Sequence, residues 1–123
     1  MSDSSSIILC VEDDVDTQEM MGVMLRGWGY GFEVAGTCAD ALQVIRERVL
    51  VAVLLDNLLP DCTGIQLCRE VRQFDTRLPI IFLSGSAHEE ERHQALASGA
   101  NAFLCKPIAF DALLDLLNTH APR

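Results

Sequence analysis

The stretch VAVLLDNLLPDCTG, Val51 to Gly64, decides the fold, because an apolar run ends abruptly at Asp56. A short continuous apolar run with β-branched members, closed by turn formers, suits a strand of a parallel sheet covered on both faces. Asn57, Pro60, Asp61 and Gly64 supply the turn. A carboxylate at the carboxyl end of such a strand lies on the rim where open α/β sheets hold their ligands. Taken alone, Asp56 reads first as a turn aspartate capping a loop. The ends of the other strands weigh against that reading.

Working outward, Ile7-Ile8-Leu9-Cys10-Val11 forms a buried strand that stops at Glu12-Asp13-Asp14. Helical spacing then runs from about Val15 to Arg26, with Asp14 as N-cap and Gly27 and Gly29 as stop signals. Gly31 to Ala35 reads as an edge strand, and Thr37 with Asp40 opens a helix over Ala39 to Arg48. After the central strand, Thr63 and Gln66 form a capping-box pattern for a helix from about Gly64 to Phe74, with Ile65, Cys68 and Val71 as its buried stripe. Pro79 precedes Ile80 to Leu83, which ends at Ser84-Gly85. Ser86 with Glu89 opens a helix through Ser98, and Glu89, Glu90 and Glu91 suit its positive end. Ala102 to Cys105 is the last strand, ending at Lys106-Pro107, and Phe110 to Asn118 is the closing helix, with Ala109 a poor cap. Strands alternating with helices of ordinary length predict a doubly wound parallel sheet with helices on both faces.

A chain of 123 residues that is 50% hydrophobic and 22% charged makes one domain with a single core. Its formal charge of −9 argues against direct nucleic-acid binding and favours a cation or a basic partner surface. With no membrane-length apolar run and no signal-peptide pattern, a cytoplasmic location and no membrane partner are expected. Cys10, Cys38, Cys62, Cys68 and Cys105 are odd in number and lack paired zinc-type spacing, so they are expected to be reduced thiols acting as small hydrophobes.

Four of the five strand signals end in polar groups: Glu12-Asp13, Asp56, Ser84 and Lys106. Parallel strands share one carboxyl rim, so these groups are expected to converge. Glu12, Asp13 and Asp56 offer hard oxygen ligands to Mg²⁺, which relieves their mutual repulsion. Lys106 can contact Asp56 and an incoming phosphoryl group, and Ser84 offers a hydroxyl. A metal, a lysine and a carboxylate nucleophile suit phosphoryl transfer, with Asp56 as acceptor.

These residues resemble the receiver domains of two-component response regulators. The likeness runs from Ile7 to Leu117 and rests on VEDD at Val11 to Asp14, LLDNLLPDCTG at Leu54 to Gly64, FLSGSA at Phe82 to Ala87 and FLCKP at Phe103 to Pro107. It implies a flavodoxin-like α/β fold with strand order 2-1-3-4-5. It also implies Glu12 and Asp13 as the acidic metal pair, Asp56 as the phosphorylated aspartate, the Leu58 carbonyl as a backbone metal ligand, Ser84 as switch hydroxyl, Phe103 as switch aromatic and Lys106 as the signature lysine. Ser84 stands where Thr is commoner, and Phe103 lacks the hydroxyl of the frequent Tyr. The implied cofactor is Mg²⁺, and the implied phosphodonor is a sensor histidine kinase or a histidine phosphotransfer protein. Phosphorylation would pull Ser84 inward, let Phe103 turn into the vacated space and alter the face around it, with phosphorylation-dependent dimerisation left open.

The expected layout is a leader over 1–6, a receiver over 7–119 and a tail over 120–123, the chain being a free regulator or the receiver of a larger protein. Leu58 and Ser86 flank the expected path of hydrolytic water, and bulky Leu58 should make dephosphorylation slow. The serious rival is a receiver-like interaction module that takes no phosphate. A flavin-nucleotide binder would place a phosphate against Glu12-Asp13-Asp14, and an aspartate-nucleophile phosphatase would want an acid at Leu58. His88 and His93 sit about 140° apart on a helix and read as solvated residues, not as a metal pair.

Overall fold

A computed structural model describes residues 6–85 and 88–122. The expectations for the leader up to Ser5, for the Ser86 cap and water-path position, for Ala87 and for Arg123 therefore lie outside the described residues.

The elements run β1 (Ile7–Val11), α1 (Val15–Gly27), β2 (Gly31–Ala35), α2 (Cys38–Glu47), β3 (Ala52–Asp56), α3 (Gly64–Arg72), β4 (Ile80–Ser84), α4 (Glu89–Ala97), β5 (Ala102–Cys105) and α5 (Phe110–His120). The strands form one parallel sheet in the order β2-β1-β3-β4-β5. Because side chains alternate along a strand, each strand feeds two cores. Leu9, Val11, Val53, Leu55, Ile80 and Phe82 face α2, α3 and α4. Ile8, Cys10, Ala52, Leu54, Ile81 and Leu83 face α1 and α5, where Met21, Leu25, Leu113 and Leu117 complete the layer. Burial on both sides explains why these strands read as unbroken apolar runs.

Local capping follows the sequence closely. The Asp14 carboxylate accepts the Thr17 N–H at 2.9 Å, the Thr37 hydroxyl accepts the Asp40 N–H at 3.1 Å, and Thr63 with Gln66 forms a reciprocal capping box. Ala109 makes no side-chain cap. Helix α5 runs on to His120 because Leu117 and Ala121 are both buried, and the Ala121 carbonyl accepts the Tyr30 hydroxyl at 3.4 Å. Among the described residues no helix is long and apolar enough to cross a membrane.

The cysteine expectation is corrected. Cys38, at the start of α2, is disulfide-bonded to Cys62 in the β3–α3 loop, while Cys10 and Cys68 are buried and Cys105 is exposed. The fold brings together two residues 24 apart in sequence and leaves their Cα atoms 6.2 Å apart, within bridging reach.

Candidate phosphoryl-acceptor site

The strand order puts β1, β3, β4 and β5 side by side, so the loops leaving their carboxyl ends meet at one rim. Glu12 follows β1 directly and is 4% exposed. Its backbone N–H extends the β1–β2 pairing by donating to Ala35 O at 2.9 Å. Burying an acid requires partners, and Glu12 has them. One carboxylate oxygen accepts Lys106 Nζ at 2.9 Å and the other accepts the Asp14 N–H at 3.2 Å. Lys106 arrives from the end of β5, where its own N–H donates to Ser84 O at 2.6 Å. From there its ammonium also lies 3.5 Å from the Asp56 carboxylate.

Burial by itself would lower the basicity of Lys106. The hydrogen bond to Glu12 and the charges of Asp56 and Glu12 outweigh it and hold the ammonium above its usual pKa. Lys106 therefore stands as a fixed positive charge among the acids. Beneath them, burial and the Glu12 charge push the Cys10 thiol up to about 12, so Cys10 is a neutral core residue.

Glu12, Asp13 and Asp56 each bring a carboxylate oxygen within 4.8 Å of the others. Three oxygen donors, two of them on side chains open to solvent or partly so, fit a hard divalent cation that keeps several waters. The Leu58 N–H lies 3.4 Å from Asp56 Oδ1, so the loop turns back over Asp56, while the Leu58 side chain is exposed. A cleft of about 410 Å³ opens beside Asp56 and is lined by Leu58, Ser84, Gly85 and Glu91 as well.

The loop from Asn57 to Thr63 is tightly held. Gly64 N–H donates to Asn57 O at 2.8 Å, Ile65 N–H donates to the Asn57 side-chain oxygen at 3.1 Å, and Leu58 bridges to Thr63. A Cβ on Gly64 would come within 2.6 Å of the Asp56 carbonyl, so only glycine lets α3 start this close to Asp56. Towards α2, the Asp61 carboxylate accepts the N–H groups of Cys38 at 2.8 Å and Ala39 at 3.1 Å. The Cys38 hydrogen bond, backed by that of Ala39, holds the Asp61 carboxyl below its ordinary range.

The sequence-derived residues Glu12, Asp13, Asp56 and Lys106 thus come together, with Ser84 beside them and 3% exposed. Phe103 is 7% exposed, with its ring stacked 6.5 Å from that of Phe82. With no hydroxyl to hold in water, the ring gains most inside the core. Sequence reasoning missed Glu91, which accepts hydrogen bonds from Ser84 Oγ and from Asn57 Nδ2. The sequence held no signal for it: Glu91 turns inward because α4 docks through Ala95, four residues on, whose burial only the packing decides.

Comparison with known proteins agrees with this fold. The response regulator receiver domain family matches residues 8–118. The transcriptional regulatory protein ZraR of Klebsiella oxytoca is 34% identical over 92% of this chain, which spans 26% of that regulator's length. A response regulator from Chloroflexus aurantiacus superposes with a TM-score of 0.90 at 32% identity, covering 96% of this chain and 98% of that one. The receiver domain of the sensor histidine kinase PA1611 from Pseudomonas aeruginosa, which has a magnesium ion coordinated in its active site cleft, gives 0.87 at 30% identity and covers 96% and 98%. Receiver domains thus occur both in regulators and in sensor kinases. This chain belongs to the response regulator receiver domain family and is a receiver of two-component signalling.

Proposed function

We propose that Asp56 accepts a phosphoryl group from the phosphohistidine of a sensor histidine kinase or a histidine phosphotransfer protein. The observation that carries this reading is Lys106, fixed by Glu12 at 2.9 Å and standing 3.5 Å from Asp56 on the same rim as Asp13. In the transfer, an Asp56 carboxylate oxygen forms the new bond to phosphorus. The bond from phosphorus to the imidazole nitrogen breaks, and its electron pair stays on the imidazole. Little covalent chemistry is asked of the protein, so positioning and charge neutralisation dominate.

Glu12, Asp13, Asp56 and the Leu58 carbonyl would hold Mg²⁺, which when bound supplies charge neutralisation for the phosphoryl oxygens. Lys106 stabilises the charge that develops on those oxygens, and its link to Glu12 keeps it from collapsing wholly onto Asp56. Ser84 then donates its hydroxyl to a phosphoryl oxygen. Output passes through α4 and β5, the elements beside Ser84 and Phe103, and dimerisation through that face is one form it can take. The reading places the receiver over 7–119, between flanking segments 1–6 and 120–123, and in the cytoplasm.

Intact-mass measurement after treatment with phosphoramidate or acetyl phosphate tests the assignment. The wild-type chain should gain one phosphoryl group in Mg²⁺ buffer and none in excess chelator. Labelling in chelator would remove the metal from the account, and an unlabelled wild type would favour the interaction-module reading.

A further inference from the structure

The geometry points to Glu91 as a gate on the acceptor site, an acid that holds the Ser84 hydroxyl until a phosphoryl group displaces it. The inference rests on Asp56 being the phosphoryl acceptor and names the group that opposes it. Ser84 Oγ donates to both carboxylate oxygens of Glu91, each at 3.0 Å, and Asn57 Nδ2 donates to one of them at 2.9 Å. The amide of Asn57 is oriented by its other end, where its oxygen accepts the Ile65 N–H at 3.1 Å. One carboxylate from α4 is therefore tied to the end of β4 and to the acceptor loop together.

The same carboxylate lines the cleft beside Asp56. A phosphoryl group on Asp56 would put roughly −2 of charge in that cleft in place of the carboxylate's single charge. It would also need the Ser84 hydroxyl, which carries a single proton to donate. Ser84 can serve Glu91 or the phosphoryl oxygen, and the phosphoryl charge repels Glu91 as it takes the proton donor away. Phosphorylation then exchanges one acceptor for another and releases the first turn of α4.

The build of α4 makes that release consequential. Ala95 is the residue of this helix that is buried, and its N-cap, His88, makes no side-chain capping bond. A helix with so small an apolar anchor is easily moved once a polar tie at its start is cut. Glu91 is thus a positioning residue for Ser84 and the link through which the state of Asp56 reaches α4.

The test compares the wild type with Glu91→Gln, Ser84→Ala and the double variant, each titrated with beryllofluoride in Mg²⁺ buffer by calorimetry. Phosphoramidate labelling rates are read in parallel by intact mass. Glu91→Gln should bind the phosphoryl mimic roughly tenfold more tightly and label faster, the size expected when a charge-assisted competitor is removed. That gain should shrink to less than about twofold in the Ser84→Ala background, where no hydroxyl remains to be freed. In the unmodified protein, amide exchange along α4 should speed up in Glu91→Gln and stay unchanged in β1 and α1. Equal or weaker mimic binding by Glu91→Gln overturns the gate, and so does an equal gain in both backgrounds, which would mean general charge alone. Should Glu91→Gln lower the melting temperature, Glu91→Asp serves instead, because its shorter carboxylate keeps the charge and loses the reach to Ser84. A wild type that takes up neither mimic nor phosphoryl group overturns the acceptor reading, and the gate with it.

Discussion

The β3–α3 loop is held differently along its two edges. Towards α2 the tie is covalent, through Cys38–Cys62, and is reinforced by the Asp61 carboxylate on two N–H groups at the helix start. Towards α4 the tie is polar, Asn57 to Glu91 and Ser84 to Glu91, with little apolar burial behind it. A disturbance at Asp56 meets a fixed wall on the first side and a releasable one on the second. On the proposed reading, signal direction is a matter of which edge can yield, and the ordinary strengths of covalent and hydrogen bonds favour α4.

The largest effect expected is the loss of the disturbance itself. Asp56→Asn should abolish phosphoryl labelling by intact mass and with it any change at either edge, and unchanged labelling would move the acceptor elsewhere. Next comes the anchored edge. Removing a disulfide that closes a loop of 24 residues should cost the oxidised protein about 3 kcal/mol, on the order of 10 °C in Tm. Cys38→Ser, or reduction of the wild type, should show that loss in a thermal melt while labelling at Asp56 persists. A melt indifferent to reductant would leave α2 no better anchored than α4.

A smaller effect concerns the lip of the cleft. Leu58 is 75% exposed and lines the opening beside Asp56. Replacing it with a side chain that can orient water should speed loss of the aspartyl phosphate severalfold, since water placement governs such reactions. Phosphoryl loss timed in Mg²⁺ buffer for Leu58→Asn checks this, and unchanged or slower loss would clear Leu58 of any shielding role.

The smallest effect is electrostatic and belongs again to α2. The folded carboxyl of Asp61 lies below its ordinary range, so its contribution is present above that range and is lost as the pH falls through the lowered folded value. Asp61→Asn should melt slightly below the wild type at neutral pH, and the gap should close on acidification. A gap that widens in acid would contradict the assignment of Asp61 as the charged cap of α2.

Much of this molecule was legible because its rules are local or periodic. Helix starts at Asp14, Thr37 and Thr63 are set by a side chain reaching an N–H within three residues, and unbroken apolar runs announce strands covered on both faces. The rim cluster followed from one further step, that neighbouring parallel strands end on the same side, which brings Glu12, Asp56 and Lys106 together from across the chain. The chain order of strand ends thus determined which groups share the site. Tertiary structure alone decided how they pair and what restrains them. Nothing in the spacing of Cys38 and Cys62 distinguishes a bridge from two buried thiols, because the bond depends on where α2 lands beside a loop. Nor do three consecutive acids at the start of α4 show which one turns inward. That choice depends on the helix docking through Ala95, which aims Glu91 at Ser84 and Asn57, and only packing fixes such a rotation.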